Sequence, residues 1–518
     1  MSSSPPTRLG RLLACAPLAL LATCGKAPPP PAPRLVLLYV TCTLEKHHLE
    51  PYDPAVRTTP HLAAFADEGV VFERHVTECG QSGIDFATLF TGKQADGHGI
   101  YDHPNVLAER NDLIAETFAA AGYDTYYWSG HPMASSDLGY GQGVPASNVV
   151  QRERMFGDNA KPFAKTYLAE LSANDARFQG ILERLAAEPD YRAFVQVAFT
   201  VTHEPYHRYV PVEELLAFLA RHPEVAPGLE RGEIERWVEV YQEHRHELNW
   251  DFRNARAELG LDDADVAALA RTLEALYSAC VSQLDGYFGQ VLDAIRARGL
   301  DEQSLMAFTA DHGELLWRDN AAFPWTHGLD LAPEILDVPW ILRAPGLRPG
   351  RYSAVTRSID VFPTLAGLCG LPIPRSVTGN DLAPALRGQA EAPEALAFSH
   401  SPLWPEARIE RFGSYPAVHE LMPTRDPSWL SVRVRDRDLV CQERRVGPEQ
   451  ELLEAFDLAD DPGQRRNVFD PKDPRHARLV EALRRYKQNL VESFHPEPEI
   501  GLTDNETLDR LRALGYIR

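Results

Sequence analysis

The sequence is short of positive charge. Lys and Arg number 52 against 74 Asp and Glu, a formal net charge of −22 at pH 7. A chain this acidic repels nucleic-acid phosphates unless a basic patch offsets the repulsion. None is present, since Arg465 and Arg466 sit among acids, and the composition argues against a DNA or RNA partner. Cysteine is also scarce. The seven are Cys15, Cys24, Cys42, Cys79, Cys280, Cys369 and Cys441, with no pair at metal-binding spacing. That excludes a disulfide scaffold and a cysteine-rich zinc module. Past residue 24 no apolar stretch is long enough to cross a bilayer, and no internal repeat is visible. What remains is 44% hydrophobic and 24% charged, the make-up of a soluble globular protein of one to three domains.

The amino terminus reads as a targeting segment. Arg8 and Arg11 precede an apolar run from Leu12 to Thr23, too short to span a membrane comfortably. Leu21-Ala22-Thr23-Cys24 resembles a bacterial lipoprotein processing box, with simple cleavage near Cys24 as the alternative. The expectation is a signal peptide over 1–24 and a stiff proline-rich tether over 25–33. The mature protein would then be exported, periplasmic or on the cell surface, and held to a bacterial membrane by lipid alone.

Beyond the tether, strands and helices alternate. Arg34–Thr41 is a continuous apolar run, the signature of a strand buried on both faces. Pro60–Gly69 begins with proline and ends with glycine, as a helix does. Leu113–Gly130 reads as helix, glycine stop and strand. Arg192–Val201, Ser304–Gly313 and Val338–Gly346 supply further strands, and Leu273–Gly299 a long amphipathic helix. The expected fold is α/β, a large, mostly parallel sheet flanked by helices, over 34–390. An acidic helical excursion lies outside the sheet at about 211–265. Residues 391–518 make a smaller α+β subdomain.

In such sheets, polar residues just past the carboxyl ends of strands build the ligand site. Thr41, Cys42 and Thr43 stand at one such end, Thr202, His203 and Glu204 at a second, and Asp311 and His312 at a third. A carboxylate beside an imidazole suits a divalent cation or an oxyanion. His327, next to Gly328, can approach a ligand closely. Ser82 lies before the helical segment Phe86–Gly92, where a hydroxyl at a helix start gains from free amides or serves as a plain cap.

Spread along the chain, TPHLAAFADEGVVFERHV, LFTGK followed by HGI, HEPY, QLDGYFGQVLDAIRARGL, FTADHGELL, THG, VPWILRAPG, SIDVFPTLAGLCGLPIP, AFDLADDPGQRRNV and LDRLRALGYIR resemble the sulfatase family of the alkaline phosphatase superfamily. The resemblance covers nearly all of the chain after residue 34. It implies the two-part α/β architecture, export, hydrolysis of sulfate esters and dependence on a divalent cation, Ca²⁺ in many members. Superfamily relatives act on phosphoryl groups.

Position by position, the inheritance is incomplete. Cys42 stands where the family carries a metal-binding Asp, and Glu45, His47 and His48 replace the Arg, Asp and His that often follow. Ser82 falls at the nucleophile position. The conversion of that residue to formylglycine needs proline two residues on and arginine four on; here these are Ile84 and Phe86. Formylglycine is therefore not expected. Asp311 and His312 match metal positions. Lys93, His98, His203 and His327 match groups that hold the anion or protonate the leaving group. The resemblance implies Ca²⁺ as the cation; calcium prefers oxygen ligands, and a thiol at Cys42 suits Zn²⁺, so Zn²⁺ and Mn²⁺ stand as alternatives. Two readings stay open. One is a hydrolase of a sulfate or phosphate ester with Ser82, His203 and His327 catalytic. The other is an inactive relative that binds a sulfated or phosphorylated ligand. Substrate identity and oligomeric state are not legible.

Overall fold

The computed structural model describes, besides Met1, residues 32–102, 105–151, 174–318, 321, 323–403, 426–447 and 450–495. The leader with Cys24, nearly all of the tether and the terminal LDRLRALGYIR lie outside the described residues. Among the described residues, no helix is long and apolar enough to cross a membrane.

The centre is an eight-stranded sheet. Its strands are β1 (Leu35–Thr41), β2 (Val70–Val76), β3 (Asp124–Ser129), β4 (Val149–Gln151), β5 (Ala193–Phe199), β6 (Ser304–Ala310), β7 (Trp340–Arg343) and β8 (Gly350–Arg357). They lie in the order β4-β3-β5-β1-β6-β7-β2-β8. All pairs are parallel except those of β7, which runs antiparallel to both β6 and β2.

β1 shows why the sequence demands this. Its seven residues are all buried. Leu35, Leu37 and Tyr39 join one hydrophobic cluster, while Val36, Leu38 and Val40 join the other, on the opposite face. A strand covered on both sides has no polar face to show, hence the unbroken apolar run. Each fully buried Leu, Val or Phe contributes roughly 1.5–3 kcal/mol of transfer free energy.

Helix α1 (Pro60–Asp67) starts with proline at its first position. Helix α2 (Ser82–Thr91) has every residue buried and ends on Gly92 in the left-handed conformation. Residues 212–258 hold three helices, α3 (Val212–Arg221), α4 (Arg231–Trp250) and α5 (Phe252–Glu258). The long helix α6 covers Asp263–Arg296, ten residues more at its start than the apolar pattern indicates. Asp262 accounts for the earlier start, because its side chain accepts from Asp265 N–H in a reciprocal capping box.

A second, antiparallel sheet has the order β12-β11-β10-β9, with β9 (Ala397–His400), β10 (Val432–Arg435), β11 (Leu439–Gly447) and β12 (Gln450–Asp457). Helix α7 (Pro474–Ser493) lays Leu479, Leu483 and Leu490 against Val432, Val434 and Cys441 of this sheet.

Candidate active site

Register decides where the polar strand ends meet. Thr41 pairs with Phe199 on one side and Ala310 on the other, and Ser129 pairs with Ala198. The next residues of four parallel strands therefore emerge at one edge, bringing together Cys42, His131, His203, Asp311 and His312. Helix α2 enters the same place with its amino terminus.

Ser82 is the first residue of α2, and the cap position belongs to Gln81. Its hydroxyl is thus not spent on capping. Ser82 Oγ lies 3.1 Å from His312 Nε2 and 3.4 Å from Cys42 Sγ. His312 Nδ1 donates to Gly313 O at 2.9 Å, which leaves the Nε2 lone pair facing Ser82. Asp311 Oδ1 accepts from Thr43 N at 3.1 Å and from its neighbour His312 N at 2.6 Å, while Oδ2 is buried without a partner. Gly313 is dictated by crowding: a Cβ there would stand 2.0 Å from Glu334 O. Thr43 sits at φ 52, a left-handed backbone that a β-branched residue rarely adopts.

Three more histidines ring this centre. The His203 and His327 rings are 5.0 Å apart, His312 and His327 4.5 Å, and His131 and His203 6.2 Å. His203 Nδ1 donates to Glu204 O, so its Nε2 carries the lone pair, and that atom is buried and unpartnered. His131 has the opposite tautomer. Its Nδ1 accepts from Met133 N at 3.1 Å, which puts the proton of the neutral ring on Nε2. Burial, aided by His203, His312 and His327, pushes His131 well below the usual imidazole range. It is a neutral donor. His327 Nδ1 lies 3.1 Å from Glu314 Oε1. Burial raises that carboxyl to about 8.

The geometry gathers Cys42, Ser82, His203, Asp311, His312 and His327 from the sequence reading. It adds His131 and Glu314. It does not bring Lys93 or His98 to them. Lys93 lies past the far end of α2, eleven residues or about 16 Å from Ser82. Its Nζ bonds to Asn111 Oδ1 at 3.0 Å, and Asn111 Nδ2 bonds to His98 O. His98 Nε2 faces Thr88 Oγ1 at 3.2 Å and Glu78 at 3.8 Å. Glu45, His47 and His48 form their own network with Glu274 of α6.

Among the described residues, two sets of side chains could each hold a metal ion, Cys42/Asp311/His312 and Cys42/His131/His203, with ligand atoms within 4.8 Å of one another. The first fits a divalent cation. Asp311 Oδ2 is an orphaned buried oxygen 3.6 Å from His312 Nε2, close to the roughly 3.4 Å that separates two ligands of one tetrahedral ion. Burial and the Asp311 charge push the Cys42 thiol well above its ordinary range, and an adjacent cation would reverse this. The second set fits less well, because His131 presents a proton, not a lone pair.

The profile of the family described as Sulfatase matches residues 34–371. The chain is 26% identical to the steryl-sulfatase of Mus musculus, over 90% of this chain and 84% of that one. It is 24% identical to an ulvan-active sulfatase of Formosa agariphila, over 68% and 64% of the two chains. A solved structure in complex with its substrate D-glucosamine-2-N,6-O-disulfate superposes with a TM-score of 0.64 at 15% identity, covering 90% of this chain and 100% of that one. The phosphonate monoester hydrolase of Agrobacterium radiobacter superposes at 0.59 with 19% identity, over 89% and 96%. These superpositions establish a common fold.

Proposed function

The chain belongs to the sulfatase family, divergent at the nucleophile and first metal-ligand positions, and from that premise we propose that it hydrolyses an anionic ester through unmodified Ser82. The carrying observation is a hydroxyl at a helix amino terminus set between the ligand atoms of Cys42 and His312.

Ser82 Oγ, its proton released to water, attacks the sulfur or phosphorus of the ester, the bond to the leaving oxygen breaks, and water then cleaves the serine ester to free the inorganic anion and restore the hydroxyl. The first-turn amides of α2 have no partners within the helix and favour negative charge at that oxygen. His131 donates Nε2–H to an ester oxygen. His203, once its open Nε2 has taken up a proton, and His327 beside it stand together where a leaving oxygen can be protonated. Cys42, Asp311 and His312 are the residues to hold a divalent cation, and their sulfur, oxygen and nitrogen donors suit Zn²⁺ better than Ca²⁺. When bound, such an ion supplies charge that lowers the serine pKa and neutralises ester oxygens.

The test is a screen of purified protein against 4-nitrophenyl sulfate, phosphate and phosphonate esters with Zn²⁺, Mn²⁺ or Ca²⁺. Turnover of one ester, abolished in Ser82→Ala, is the expected result. No turnover of any ester, with saturable sulfate or phosphate binding, would replace this reading with a binding role, which the substitution of Cys42 for a carboxylate favours. Export and a lipid anchor at Cys24 complete the proposal. A diacylglyceryl cysteine in membrane-extracted protein tests them, and a mature chain beginning elsewhere would sink them.

A further inference from the structure

A cavity of about 390 Å³ lies between the segment that follows His327 and the four-stranded sheet. Strand alternation explains its wall. Val432 and Val434 of β10 face α7, so Arg433 points the other way. Arg433 pairs with Gln442, and Gln442 with Glu454, in a polar row across three strands. The row is buried: Arg433 is 2% exposed, and Gln442 and Glu454 are 8% exposed.

This row is not satisfied by the protein. Arg433 Nη1 donates to Leu331 O, but Nε and Nη2 have no partner. Gln442 Nε2 donates to Glu454, but Oε1 has no partner. Across the cavity, Gln464 Oε1 is buried and unpartnered as well. Native structures leave few such groups, and two donors and two acceptors on one cavity call for an explanation.

Charge points the same way. Glu454 neutralises Arg444 at 3.0 Å. Among the described residues, Arg433 and Arg465 have no ion pair. Asp330 is the remaining acid of the lining, and Arg318 is held by Glu334 and by the carbonyls of Gly463 and Gln464. A chain of −22 overall thus carries a local positive excess here. Burial lowers Arg433 only to about 10, so it stays charged at neutral pH.

We propose that this cavity binds a hydroxylated organic anion, a sugar acid or sugar sulfate, with its oxyanion on Arg433 and Arg465 and its hydroxyls on Gln442 and Gln464. The two orphaned donors require an oxyanion, and the two orphaned acceptors require hydroxyl protons, so one small molecule with both satisfies the set. The lining shares no residue with the Ser82 cluster. The cavity is therefore a site separate from the one that hydrolysis would use.

Calorimetry of the full chain with D-glucuronate, D-glucose 6-sulfate, inorganic sulfate and D-glucose tests it. The two sugar anions form the arms that separate a carboxylate from a sulfate ligand. At least one should bind saturably, D-glucose should not, and inorganic sulfate should bind at least about 10-fold more weakly, lacking the hydroxyl contacts. Arg433→Met should weaken binding by about 10- to 100-fold. If that variant fails to fold, Arg465→Ala and Gln464→Ala, on the loop, should still each lower affinity, while Ser82→Ala leaves it unchanged. Absence of saturable binding for both sugar anions would overturn the proposal. So would unchanged affinity in the cavity variants, or loss of binding in Ser82→Ala, which would place the ligand at the other site.

Discussion

Ser82 Oγ and His312 Nε2 meet at 3.1 Å across 230 residues of chain, joining the amino end of α2 to the end of β6. This contact commits the serine to the centre. Ser82→Ala is expected to abolish ester turnover, by on the order of 10⁴-fold or more if serine is the nucleophile. It also leaves a buried imidazole nitrogen unpaired, at a cost of about 1–3 kcal/mol. Steady-state kinetics and denaturant melts read the two effects separately. Turnover that survives the substitution would remove Ser82 from the mechanism.

Ser82 should carry no aldehyde. Ile84 and Phe86 replace the proline and arginine of the conversion tag, and both side chains are fully buried in the core beneath the sheet. Peptide mass spectrometry of the segment is expected to show an unmodified serine. A mass corresponding to formylglycine would restore the family's usual nucleophile.

Much of this site was legible because buried parallel strands announce themselves. The apolar runs of β1, β5 and β6 end abruptly in Cys42, Thr200 and Asp311, and register carries those ends to one edge. His131 gave the same signal, a polar residue just past the apolar end of β3, but its short strand ends in Gly130-His131-Pro132 and reads as a turn. Lys93 and His98 enter the sequence reading by motif position alone. The structure gives Lys93 a partner in Asn111 and sets His98 beside Thr88 and Glu78. Glu314 lies inside the FTADHGELL motif, but its role depends on contact with His327 across a loop, which spacing does not reveal.

Cys42→Asp should raise affinity for Ca²⁺ and Mn²⁺ and lower the preference for Zn²⁺. The change substitutes a hard oxygen for a thiol that burial keeps protonated, opposite Asp311. Titration calorimetry of both forms with each metal is the check. Equal affinities throughout would mean that Cys42 is not a ligand.

Stability should fall on both sides of neutrality through one small network. Burial would raise Glu45, but hydrogen bonds and charge from His47 and His48 hold it at about 2 instead of 4.5. Its contribution is full above pH 4.5 and lost as the pH falls toward 2. Burial would lower His48, but Glu274 and Glu45 raise it from 6.5 to about 10. That contribution is full below pH 6.5 and lost as the pH rises toward 10. Denaturant melts across pH should show both limbs, with Glu45→Gln flattening the acid limb and His48→Ala the alkaline one. Unchanged limbs in both variants would show that the network does not couple to folding.

His131 should bind the anion through a hydrogen bond that does not depend on its charge. Burial keeps the ring neutral, and the Met133 N–H fixes its proton on Nε2. Its contribution to sulfate or phosphate affinity should therefore stay constant between pH 5 and 8, unlike that of a titrating histidine. His131→Asn separates binding from structure. The amide oxygen can still accept from Met133 N–H and preserve the turn, but the shorter side chain withdraws the outward donor. Affinity is expected to drop by about 10-fold, the worth of one hydrogen bond to a charged group, with the melting temperature nearly unchanged. If the melting temperature falls and the affinity does not, His131 holds the loop after β3 and has no part in recognising the anion.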